Sequence, residues 1–123
     1  MTSRELSDKI SRLAWEKKGR DIVILDLRRL TDVTDFFVIV SGESDLHVKA
    51  IADYIETELE KAHIKMWHKE GYEHLNWVLL DYVDVVVHIF RPEVRLYYAL
   101  EKLWADAKIT RMEDNVTSDR VLP

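Results

Sequence analysis

The chain has 123 residues, 47% of them hydrophobic and 33% charged, with a formal net charge of −5. That is room for one domain with a real core, and the balance is not that of a disordered segment. With no cysteine, disulfide scaffolds, thiolate metal sites and cysteine nucleophiles are excluded; the acidic charge argues against gripping phosphate backbones or reading nucleic-acid sequence, and suits a basic protein partner.

The start, Met1 to Ile10, is polar. It lacks the apolar core of a signal peptide and the Arg-rich, acid-poor bias of a transit peptide, and no apolar run approaches membrane-spanning length. The expectation is a cytoplasmic protein with no membrane partner. Thr2-Ser3-Arg4-Glu5 matches a capping box, and Leu6, Ile10, Leu13 and Ala14 form one helical stripe that Gly19 closes. Asp21–Leu27 is a continuous apolar run, read as a buried strand. After a polar loop, Phe36–Val40 reads as a second strand ending at Ser41-Gly42.

From Ser44 to His63 the spacing is helical again, with Val48, Ile51, Ala52, Ile55, Leu59 and Ala62 on one stripe. A long helix after a strand and turn implies a crossover, so the next strand is expected parallel to an earlier one. Lys65–His68 is a weak strand and Lys69–His74 a polar turn. Trp77–Leu80 and Val85–Phe90 read as a hairpin joined by Asp81-Tyr82-Val83-Asp84, with Leu80 opposite Val85 and Trp77 opposite His88. Alternation puts Val78, Leu80, Val85, Val87 and Ile89 on one face and Trp77, Leu79, Val86, His88 and Phe90 on the other. Both faces are apolar, so both need cover from the chain itself or from another molecule.

Pro92 begins a third predicted helix, running to about Ala107 with Leu96, Leu100 and Leu103 as its core stripe. Residues 108–123 read as a tail outside a domain of residues 1–107. The order α-β-β-α-β-β-β-α predicts a single-domain α/β sandwich with three helices and a mixed sheet of about five strands.

Four groups of residues invite chemistry. Ser41-Gly42-Glu43-Ser44-Asp45 joins a strand to a helix N-terminus, where amides attract anions, but it lacks the glycines and lysine of a phosphate loop. Asp81 and Asp84 flank the hairpin turn, where a pair of carboxylates suits magnesium and where turns also recruit Asp. His63, His68 and His74, near Glu70 and Glu73, have gaps that match no zinc spacing. His88 and Trp77 share an apolar sheet face, and Trp is a common interface anchor. From these, no catalytic residue, metal or cofactor is expected.

Segments Asp35–Gly42, Val48–Asp53 and Trp77–Tyr82, with Asp84-Val85-Val86-Val87-His88-Ile89-Phe90 and the following Glu93, Tyr98, Leu100, Glu101, Leu103 and Trp104, resemble the ribosomal silencing factors, also called the Iojap family. The resemblance runs from about Leu6 to Ala107. It implies a non-enzymatic factor that binds the large ribosomal subunit through ribosomal protein fourteen and keeps the subunits apart, so that translation falls when nutrients are scarce. It also implies a nucleotidyltransferase-like fold. In Asp84-Val85-Val86 a valine stands where such enzymes carry a second acid, which disfavours the alternative of a nucleotidyltransferase-type enzyme with a degenerate metal site. The expected partner-binding residues are Trp77, Leu79, Asp81, Tyr82, Asp84, Val86 and His88. A homodimer through the same apolar face is the competing use of that surface.

Overall fold

The computed structural model describes residues 1–112. Its elements are α1 (Ser3–Glu16), β1 (Arg20–Asp26), β2 (Phe36–Ser41), α2 (Asp45–Lys61), β3 (His68–Glu70), β4 (Trp77–Asp81), β5 (Val85–Phe90), α3 (Pro92–Tyr98), α4 (Leu100–Leu103) and β6 (Lys108–Arg111). The capping box forms as expected: Glu5 donates its amide to Thr2 Oγ1 at 3.1 Å, and Thr2 donates its own to Glu5 Oε1 at 2.8 Å. These bonds satisfy helix-end amides that would otherwise lack partners.

The strands form one mixed sheet in the order β3-β4-β5-β2-β1-β6. Only β2 and β5 pair in parallel, Phe36 beside Val85 through Ser41 beside Phe90. The connection through α2, β3 and β4 makes that possible, and β5 is buried along its whole length. On one face α1 and α2 pack Leu6, Ile10, Ile51, Ile55 and Leu59 against Val38, Val78, Leu80, Val87 and Ile89. On the other, a smaller cluster joins Val23, Leu25, Ile39 and Phe90 to Val94, Leu100 and Trp104.

Three expectations need correction. The hairpin register is displaced by two residues, so Trp77 lies opposite Phe90 and Leu80 opposite Val87. The cause is a tighter turn: Tyr82 donates its amide to the Val85 carbonyl at 2.9 Å, which leaves only Val83 and Asp84 in the loop. Because the slip is even, both face assignments survive. The third helix breaks at Ala99, which takes a left-handed conformation (φ 48). Helical phase restarts there, so one stripe no longer carries Leu96, Leu100 and Leu103 together, and Leu96 and Leu103 stand exposed. Finally, Lys108–Arg111 is not tail but a sixth strand, paired antiparallel with β1 from Asp26 to Val23. The remainder of the expected tail, from residue 113, lies outside the described residues.

Candidate functional site

Two amides of the Ser41–Asp45 turn are committed within the protein. Gly42 donates to the Phe90 carbonyl at 2.8 Å and Glu43 to His47 Nδ1 at 2.9 Å, while Ser44 Oγ accepts from His47 at 3.1 Å. A β-carbon at Gly42 would meet Val48 Cγ2 at 2.8 Å, so glycine is there for close packing of β2 on α2. The three histidines are drawn apart: His63 borders a cleft with Tyr82, His68 pairs with Glu70 at 2.9 Å, and His74 lines a groove beside Trp77. Among the described residues, no three His, Asp or Glu side chains converge as a metal would require. Asp81 Oδ1 accepts the Val83 amide at 2.7 Å, a turn-making role. Asp84 is exposed at the same turn.

The expected docking residues separate into three groups. Trp77, Leu79 and Asp81 on β4 and Val86 on β5 share the sheet face that α3 and α4 cover only in part. Tyr82 does not join them. It is buried on the α1 and α2 side, where burial and the nearby Glu56 and Glu60 raise its phenol above the ordinary range. His88 lies on the same sheet face as Trp77 but is 3% exposed, beneath Trp77 and edge-on to Phe37 at 4.4 Å. Burial drives it below its usual value to about 3, so the imidazole is neutral at physiological pH.

Trp77 is the centre of an aromatic group. It stacks on Phe90 at 4.8 Å, meets Tyr98 at 4.8 Å, and donates its indole N–H to His88 Nδ1 at 3.1 Å. A groove of about 460 Å³ runs beside it, lined by Trp77, Val94, Tyr97 and Tyr98 with Glu93 and His74 at its margin. Leu96 (82% exposed), Tyr97 (81%) and Leu103 (72%) extend the apolar surface over α3 and α4. Contiguous exposed apolar groups of this kind mark interaction sites. Sequence periodicity assigns Leu96 and Leu103 to the core; the break at Ala99, which alanine does not signal, divides that stripe, and both stand exposed.

Residues 1–121 match the model of a family described as ribosomal silencing factor during starvation. The chain belongs to the ribosomal silencing factor family. It is 38% identical over 113 residues to ribosomal silencing factor RsfS of Halalkalibacterium halodurans, covering 92% of this chain and 97% of that one. The Bacillus subtilis protein of the same name is 41% identical over 98 residues, 80% of this chain and 83% of its own. A crystal structure of a Chromobacterium violaceum protein superposes with a TM-score of 0.83 at 37% identity, covering 85% of this chain and 88% of that one. In this chain the apolar face of β4 lies beside the α3–α4 segment, and no helix among the described residues is long and apolar enough to cross a membrane.

Proposed function

We propose that this chain silences ribosomes by binding ribosomal protein fourteen of the large subunit and standing where the small subunit must dock. The observation that carries the reading is the open groove of Trp77, Tyr97 and Tyr98 between β4 and α3, with half-buried Leu79 on the same face of β4. Val86 is buried on the same sheet face (8% exposed), and Asp81, Asp84 and Glu93, the last paired with Arg91 at 3.0 Å, give the surface an acidic margin suited to a basic partner. His88 supports this surface from beneath, and Tyr82 braces the turn from the opposite side of the sheet. The action is steric and takes place in the cytoplasm, with no cofactor or catalytic step. The Gly42 and Glu43 amides, already committed within the protein, favour this reading over the nucleotidyltransferase alternative, which would gain support from magnesium-dependent nucleotide binding in calorimetry.

The test is a sucrose gradient in which excess protein meets separated subunits. The wild type is expected to remain with large subunits and prevent joining. Truncating a central Trp anchor costs about 2 kcal/mol or more, roughly thirtyfold in affinity. Trp77→Ala, shown to be folded by circular dichroism, is therefore expected to release the subunits. Normal subunit separation by that folded variant would refute the assignment of the face. Dimers in solution that Trp77→Ala converts to monomers would give the face to self-association instead.

A further inference from the structure

His88 is a titratable group buried in the middle of an apolar sheet face, and the docking surface does not include it. From its surroundings we infer that His88 is a positioning residue, held as the Nε2-protonated tautomer, which turns the Trp77 indole N–H inward and leaves only the ring of Trp77 for a partner. The inference rests on the docking reading above and specifies the chemistry of that contact.

The argument begins with donors and acceptors. An indole nitrogen can only donate. Trp77 Nε1 lies 3.1 Å from His88 Nδ1, so Nδ1 must offer its lone pair; a proton there would set two donors head to head. In a neutral imidazole the proton then sits on Nε2. That atom is buried without a hydrogen-bond partner, and its ring lies centroid to centroid 4.4 Å from Phe37 and 6.1 Å from Phe90. Aromatic rings accept an N–H weakly, whereas a lone pair buried there would face apolar carbon and hydrogen. One tautomer therefore satisfies both ends of the ring better than the other.

The consequence falls on Trp77. Its stacking on Phe90 fixes the ring plane, but stacking alone does not choose which edge points outward. The bond to His88 does. With the N–H committed inside the protein, the exposed edge of Trp77 has no donor. The partner must meet it with an aliphatic side chain or a cation over the ring, not with a carbonyl or carboxylate acceptor.

The experiment uses the full chain at neutral pH. Nitrogen-15 spectra of the histidine rings are expected to show His88 with Nδ1 bare and Nε2 protonated; a protonated Nδ1 would overturn the inference directly, without any variant. The indole resonance of Trp77, identified by its loss in Trp77→Phe, is expected to be protected from exchange and to move in His88→Phe, which keeps a ring but removes the acceptor. Losing one such hydrogen bond is expected to weaken binding to large subunits about tenfold. His88→Asn restores an acceptor near the position of Nδ1 and is expected to recover both the indole resonance and binding. If His88→Phe fails to fold, the nitrogen spectra and His88→Asn decide the matter: an unprotected indole with undiminished binding in His88→Asn would sink it. Should His88→Phe bind like wild type while folded Trp77→Ala does not, positioning is refuted and the docking reading stands. If folded Trp77→Ala also binds like wild type, the docking reading falls first.

Discussion

Val83 occupies the hairpin turn at φ 73, with its side chain 55% exposed. A β-branched residue in the left-handed region is strained and gains little here from packing. Val83→Gly is accordingly expected to stabilise the protein by about 1 kcal/mol, read as a higher urea midpoint at unchanged slope. Gly71 presents the opposite case: its φ is +80, and a β-carbon would fall 2.0 Å from the Trp77 carbonyl oxygen. Gly71→Ala combines strain with collision, so a loss of about 2 kcal/mol or more is expected in the same assay. His88 makes a prediction about pH. Its folded value, about 3, lies below the usual 6.5, so the unfolded chain binds the extra proton between those limits. Stability from the neutral imidazole is complete above about pH 6.5 and is lost as pH falls toward 3. Between pH 6 and 5 the wild type should lose up to about 1.4 kcal/mol more than His88→Asn, measured by urea denaturation at each pH. Asp26, held down to about 2 chiefly by its hydrogen bonds from Arg28, loses its contribution only below the ordinary carboxylate range, outside that window.

At the scale of elements, α3 and α4 act as a partial cover held by one buried cation. Arg95 Nη1 donates to Ser41 Oγ at 2.9 Å, and its Nε and Nη2 grip Glu101 at 3.0 and 3.1 Å, so β2, α3 and α4 are tied across the Ala99 break. The Arg95 side chain is 10% exposed and Glu101 27%, which makes this pair unlike the solvated ones on α1 and α2. Removing one partner strands the other charge. Glu101→Gln is expected to cost about 2 kcal/mol and to admit protease near Ala99, whereas Arg95→Met with Glu101→Leu should recover part of the loss. A double variant no more stable than Glu101→Gln would show that the pair contributes more than mutual compensation.

At the scale of the whole molecule, the described helices pack over one sheet face and reach only part of the other. Beside that partial cover lie Trp77, Leu79 and the exposed tyrosines of α3, in a chain whose net charge is −5. For a basic ribosomal partner this predicts salt sensitivity. Moving from 0.1 to 1 M salt shortens screening from about 10 Å to about 3 Å. Binding to large subunits is expected to weaken severalfold, chiefly through slower association. A salt-independent affinity would mean that the acidic margin takes no part.

Alternation along β4 and β5, helical stripes in α1 and α2, and the Thr2 cap were all legible in the sequence, because each depends on neighbours a few residues apart. The two faces of the central hairpin follow from strand geometry and survive a register error of two residues. What local pattern could not supply were the left-handed turns at Val83 and Ala99, conformations that valine and alanine ordinarily avoid and adopt here under constraint from the surrounding fold. The first set the register; the second broke the helix and divided the stripe of Leu96, Leu100 and Leu103. Nor could alternation tell which half of an apolar face is covered. His88 sinks and Trp77 stays partly open because α3 and α4 reach only part of the sheet, and that is decided by packing between segments distant in sequence.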